Sequence, residues 1–274
     1  MNNFTLRTLT GIGLVVLVLA AVLFGPYSFT ALLVLISLLS LREFYRLLEV
    51  PVARPYQTAG ALLSTVLLLL SLGVASALLN WRWLLLLVPV AFGIFMVALY
   101  RRHAKKPFTE LAVTFLGVIV IALPLCFFAS LPFLAQPMGH YGFELPLSCF
   151  VLLWAHDTGA YLTGRAVGKH LLFHRISPKK TWEGSLGGAA VAFAAAYILS
   201  GHFKLLSAQE WMILSVIIVV TGTYGDLFKS LLKRSMGVKD SGTILPGHGG
   251  MLDRFDSLLG SAPFVYCYLI LLGK

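Results

Sequence analysis

The sequence predicts an all-α, polytopic integral membrane protein with about nine transmembrane helices and a cytosolic N-terminus. Three observations carry this expectation. The chain is 58% hydrophobic and only 12% charged, with a mean hydropathy of +0.88, a composition suited to a bilayer rather than to a water-soluble core. Its apolar residues gather into runs, most of them long enough to cross the hydrocarbon region, which takes about 20 helical residues. Its Lys and Arg residues fall almost wholly between alternate runs, as the positive-inside bias requires.

The runs can be taken in order. Residues 9–24 and 29–41 are separated by the Gly25, Pro26 break. Arg7 precedes the first run, so a cleaved signal peptide is the competing reading, but no polar mature domain follows. The second is short for a span and also fits a tilted or re-entrant segment. It leads into a polar, charged stretch at 42–57. Residues 58–79, 83–100 and 111–134 are of spanning length, with Trp81 and Trp83 where an interfacial belt would lie. Residues 146–163, 184–200, 211–228 and 257–272 complete the nine. With the N-terminus inside, the alternation puts all but Arg82, Lys204 and Lys274 of the 21 Lys and Arg residues on the inner face. The net charge of +10 is then a topological signal, and nucleic-acid binding is not needed to explain it. Lys and Arg at inner helix ends also reach anionic headgroups, so their presence alone marks no substrate site.

No linker, low-complexity tract or internal repeat divides the chain. We treat 1–274 as a single membrane domain, with apolar N-terminal helices in 1–135 and, in 146–274, helices with cytosolic loops that carry the candidate chemistry described below. Cys126, Cys149 and Cys267 are scattered through apolar runs without a Cys-x-x-Cys pair. They behave as small hydrophobes and imply neither zinc nor a disulfide.

Chemistry concentrates at 221–257, TGTYGDLFKSLLKRSMGVKDSGTILPGHGGMLDRFDS. This stretch collects Asp226, Asp240, Asp253 and Asp256 with Lys229, Lys233, Arg234, Lys239 and Arg254. A period of 3.6 places Lys229, Ser230 and Lys233 on the helix face of Asp226. Gly237 is a helix stop, and Gly247, Gly249 and Gly250 permit close approach of backbone N–H groups to an anion. A metal and phosphate site at a membrane surface is the functional reading; a salt-bridged, solvated loop is the bland one.

Two further features stand out. His156 and Asp157 interrupt the sixth run, and an intramembrane carboxylate ordinarily faces a partner or a wet cavity. Either a polar cleft entered from the cytosol or a structural hydrogen bond to a neighbouring helix accounts for them. Residues 177–183, SPKKTWE, put Lys179, Lys180 and a hydroxyl just before a helix N-terminus, a place that suits phosphate. A lipid-facing basic cuff is the alternative there. The small-residue run GSLGGAAVAFAAAY at 184–197 suits close helix packing.

The run 230–257, SLLKRSMGVKDSGTILPGHGGMLDRFDS, resembles the signature of the CTP:phosphatidate cytidylyltransferase (CDP-diacylglycerol synthase) family. Its fixed elements are Ser-x-x-Lys-Arg, four residues, Lys-Asp, then His-Gly-Gly and Asp-Arg-x-Asp, and all are present. Residues 157–170, DTGAYLTGRAVGKH, and 176–188, ISPKKTWEGSLGG, resemble the family's other motifs. The N-terminal half matches only as a run of membrane helices.

The resemblance implies transfer of a cytidylyl group from CTP to phosphatidate, giving CDP-diacylglycerol and pyrophosphate, with Mg²⁺ as cofactor. It assigns Asp226 and Asp253 to the metal, with Asp157, Asp240 and Asp256 in reserve. Asp226, Asp253, Lys233 and Arg254 form the implied catalytic set. Lys179, Lys180, Lys229, Arg234, Lys239, His248, Gly249 and Gly250 are the implied substrate contacts. The loop 229–256 is expected to hold the triphosphate, and the loop 164–183 the lipid phosphate. The implied partners are CTP, phosphatidate and membrane lipids of the cell membrane, with no nucleic acid; a homodimer is left open. Two other readings are a transporter for an anionic metabolite, disfavoured by the apolar N-terminal helices, and a CTP-dependent lipid kinase or a cytidylyltransferase acting on another lipid phosphate.

Overall fold

In a computed structural model of the protein, the described residues are 3–49, 54–102, 104, 106–238, 241–242, 244 and 249–274. Lys239, Asp240 and His248, all singled out above, lie outside them. The chain is mostly helical. Among the described residues, five helical stretches are long and apolar enough to cross a membrane: Gln57–Ala75, Trp81–Tyr100, Pro107–Phe133, Trp182–His202 and Ala208–Ser235. Two shorter apolar helices are Thr8–Leu23 and Asp256–Leu271. The backbone divides into two compact units, Met1–Tyr141 with Met236–Phe255, and Gly142–Ser235 with Asp256–Lys274.

The first unit contains α1 (Asn3–Leu23), α2 (Pro26–Glu49) and α3 (Gln57–Ala75). After them come α4 (Leu87–Tyr100), α5 (Pro107–Gly117) and α6 (Leu123–Ser130). Gly25, at φ +114°, makes the α1–α2 corner that a side chain would strain, and Pro26 opens α2 where no N–H is missed. The polar stretch after Leu41 is helical as far as Glu49. Hydropathy ended the second run too early because it measures suitability for lipid, whereas the helix continues on an amphipathic pattern with Phe44, Tyr45 and Leu48 buried.

Polar ties fix this unit from within. Ser37 and Ser64 share a hydroxyl hydrogen bond of 2.6 Å between α2 and α3. Tyr45 donates its hydroxyl to the Thr114 carbonyl at 2.8 Å, and a Cβ on Gly117 would sit 2.6 Å from the Tyr45 ring. Between α5 and α6 the helix widens to π geometry over Val118–Ala122, just before Pro124. Proline lacks an N–H, and a π turn is one way a helix absorbs that loss without breaking.

The second unit contains α7 (Glu144–Val167), a hairpin of β1 (Leu171–Phe173) and β2 (Ser177–Thr181), then α8 (Trp182–His202), α9 (Ala208–Ser235) and α10 (Asp256–Leu271). The hairpin departs from the all-helical expectation. It pairs antiparallel, with Leu171 opposite Thr181 and Phe173 opposite Ser177. Glu183 closes it by accepting the N–H groups of Lys169 and His170. Thr181 then caps α8, accepting the Gly184 N–H at 3.1 Å.

Helix α8 buries Gly184, Gly188, Ala192 and Ala196, one residue per turn. That stripe lets α7 approach closely: a Cβ on Gly159 would lie 3.0 Å from the Gly188 Cα. Helices α9 and α10 meet in the same way, Gly225 against Gly260, where a Cβ on the former would come within 2.6 Å of the latter's Cα. Gly237, at φ +72°, lies two residues beyond the end of α9.

Candidate active site

Several charged side chains of the second unit meet at Asp226. Helical spacing puts Asp226, Lys229, Ser230 and Lys233 along one side of α9, and Ser230 donates its hydroxyl to Asp226 Oδ1 at 3.3 Å. The hairpin supplies Lys180, whose Nζ forms an ion pair with Asp226 Oδ2. The neighbouring Lys179 is exposed. The close Gly225–Gly260 crossing brings the Asp256 carboxyl beside that of Asp226.

Asp256 is the first residue of α10 and accepts the Ser257 N–H at 2.7 Å, so its charge sits at the positive end of a helix dipole. It is 8% exposed, and Lys229, whose charge it attracts, is 5% exposed. The charge of Lys233 acts on both carboxylates. Two carboxylates among three ammonium groups form a compact centre that can accept a divalent cation and phosphate oxygens together.

Other expected residues of this unit make separate contacts. Arg234 is exposed and donates Nε–H to the Ile176 carbonyl at 3.3 Å, tying α9 to the hairpin. His156 is 6% exposed and its Nε2 hydrogen-bonds the Thr223 hydroxyl at 3.2 Å. The interhelical hydrogen bond weighed from sequence is thus present for His156, between α7 and α9. Asp157 is exposed on α7.

In the first unit, the described part of the signature loop is organised by two carboxylates. Asp253 Oδ2 accepts the N–H groups of Ser241 at 2.9 Å and Gly250 at 3.3 Å. Glu43, on α2, accepts from Met251 N at 2.9 Å, Leu252 N at 2.9 Å and the Ser241 hydroxyl at 3.1 Å. The closeness that Gly250 permits is therefore partly to an anion of the protein itself, the Glu43 carboxylate. Gly249 has φ +82°, a turn position that favours glycine. Arg254 is exposed.

The model of the cytidylyltransferase family matches residues 5–272. The chain belongs to that family. It is 33% identical over 266 residues to the phosphatidate cytidylyltransferase of Bacillus subtilis, covering 97% of each chain. It is 34% identical over 300 residues to that of Haemophilus influenzae, covering 97% of this chain and 99% of the relative. A Staphylococcus epidermidis phosphatidate cytidylyltransferase matches at 33% over 268 residues, 96% of this chain and 98% of the relative. The likeness thus spans the N-terminal helices as well, where sequence motifs alone found only apolar runs.

Within this cytidylyltransferase-family chain, the fit to magnesium can be tested on the donor set. Among the described residues, no group of three or more His, Cys, Asp or Glu side chains is placed to hold a metal ion. Magnesium does not need one, because it keeps several waters and takes one or two carboxylates plus substrate phosphates. Asp226 and Asp256 meet that requirement, since two carboxylates in contact need a proton or a cation between them. Sequence reasoning missed Glu43 altogether: it stands in a charged stretch with Arg42, Arg46 and Glu49, and no local spacing sets it apart from them.

Proposed function

We propose that this chain is a membrane phosphatidate cytidylyltransferase, joining the phosphate of phosphatidate to the CMP moiety of CTP and releasing pyrophosphate. The observation that carries the reading is the Asp226–Asp256 pair set among Lys180, Lys229 and Lys233, in a chain whose full-length relatives bear that name. Phosphatidate, a phosphomonoester, is mostly a dianion near neutral pH, as phosphorylated side chains with a second pKa of about 6 are. Its oxygen attacks the α-phosphorus without a strong general base, and the bond to the bridging oxygen of pyrophosphate breaks. The protein's part is alignment and charge neutralisation.

Asp226 and Asp256 would hold Mg²⁺, which neutralises phosphate charge and orients the leaving group when bound. Lys229 and Lys233 draw phosphate oxygens towards the carboxylates. Lys180 orients Asp226 and offers an N–H to a phosphate. Asp253 holds the turn that carries Arg254, and Arg254 contacts the triphosphate. The chain lies in the cell membrane with nine spans, the N-terminus and the 164–183 and 229–256 loops in the cytosol. The positions of its Lys and Arg residues support this orientation.

Purified protein incubated with labelled CTP, phosphatidate and Mg²⁺ should yield CDP-diacylglycerol and pyrophosphate. Phosphorylated lipid alcohol with CDP would instead identify a kinase and overturn the reading.

A further inference from the structure

We propose that Glu43 is a positioning residue for the signature loop, so that the N-terminal helices set the geometry of nucleotide binding as well as anchoring the chain. This rests on the reading of the loop as a triphosphate contact. Glu43 is 3% exposed, and both carboxylate oxygens are used: Oε1 accepts Met251 N, and Oε2 accepts Leu252 N and the Ser241 hydroxyl. Consecutive amides converging on one anion form a nest, the arrangement that elsewhere receives phosphate. Here the anion is built in.

The packing around the carboxylate is close enough to specify its neighbours. A Cβ on Gly242 would lie 2.7 Å from Glu43 Oε1, and one on Gly250 would lie 2.8 Å from its Cδ. A side chain at either glycine would press on the Glu43 carboxylate, and at Gly250 on the Ser241 hydroxyl as well. The post that carries Glu43 is rigid, because Phe44 and Tyr45 beside it are buried and Tyr45 is bonded to Thr114 on α5. With its amides held by Glu43 and by Asp253, the 250–252 segment presents Arg254 from a fixed backbone. Losing a group that orients a contact residue typically costs about 10–100-fold in activity or metal affinity.

The test uses the full chain in nanodiscs, with hydrogen exchange of the 249–254 peptide and steady-state kinetics in each substrate. Glu43→Gln keeps the shape but turns one acceptor oxygen into an NH₂ facing an amide donor. We expect faster exchange at Met251 and Leu252, an apparent KM for CTP raised about 10–100-fold, and an unchanged KM for phosphatidate. Ser241→Ala, which removes one donor, should move both readouts less in the same direction, and it carries the test if Glu43→Gln does not fold. Glu110→Gln, at another buried glutamate of the first unit, should leave exchange at 249–254 unchanged. Unaltered exchange and CTP KM in Glu43→Gln would overturn the proposal. So would an equal loss towards both substrates shared with Glu110→Gln, the mark of a merely structural role. A wild-type protein that makes no CDP-lipid would overturn the functional reading instead, while the exchange result would still decide whether Glu43 holds the loop.

Discussion

Asp226 on α9 and Asp256 at the start of α10 lie side by side because the glycines beside them let the two helices touch. Gly225 precedes Asp226, Gly260 lies one turn after Asp256, and a Cβ on Gly225 would fall 2.6 Å from the Gly260 Cα. The distance between the two carboxylates is thus set by two residues that carry no side chain.

Gly225→Val and Gly260→Val should therefore damage activity more than folding. Overpacking a close contact typically costs about 1–3 kcal/mol, which a membrane bundle can survive. Spreading α9 from α10 would separate the carboxylates, and 1 Å of misplacement can cost about 100-fold. Thermal unfolding in detergent, run beside CDP-lipid synthesis, separates the two effects. A folded variant with full activity would show that the crossing does not govern the pair.

Chelation should abolish activity, and added Mg²⁺ should restore it. Asp226→Asn and Asp256→Asn keep the side-chain shapes and remove charge, so each should slow turnover by about 100-fold or more. Each should also raise the Mg²⁺ concentration needed for half-maximal rate. Near-normal rates and an unmoved Mg²⁺ requirement in both variants would show that the metal is held elsewhere.

The parts of this arrangement written in the sequence differ from those that only the fold supplies. Asp226, Lys229, Ser230 and Lys233 were legible because helical spacing is a local rule, and the Asp226–Ser230 hydrogen bond follows from it. Most apolar helices were legible for the same reason, with ends displaced by a few residues. Lys180 reached Asp226 only through the hairpin, a turn that the charged run 177–183 did not announce. Glu43 meets Ser241 across 198 positions, a separation at which no periodicity speaks. The glycines of the signature invited a phosphate nest, and Gly250 also has a nearer reason in the Glu43 carboxylate.

The proposed topology predicts a labelling pattern. In a variant lacking Cys126, Cys149 and Cys267, single cysteines at Arg82 and Lys204 should react with an impermeant reagent from outside the cell. Cysteines at Lys179 and Arg234 should react only after permeabilisation. Labelling of Lys179 or Arg234 positions in intact cells would invert the topology and place the site away from cytosolic CTP.

The two adjacent lysines of β2 should behave differently, and this is the sharpest consequence of the Lys180–Asp226 ion pair. From sequence, both belonged to the lipid phosphate. In the fold Lys179 is exposed, while Lys180 is committed to the carboxylate centre. Charge-assisted contacts of this kind are worth about 1.5–3 kcal/mol, or about 10–100-fold. Lys179→Ala should raise the apparent KM for phosphatidate and leave CTP and Mg²⁺ dependence alone. Lys180→Ala should lower kcat and shift the Mg²⁺ requirement, because Asp226 loses the cation that orients it. Lys180→Arg should recover part of that loss by keeping the charge. Steady-state kinetics in each substrate, repeated across Mg²⁺ concentrations, decide the matter. If Lys180→Ala changed the phosphatidate KM alone, the ion pair would be incidental to turnover and both lysines would belong to the lipid.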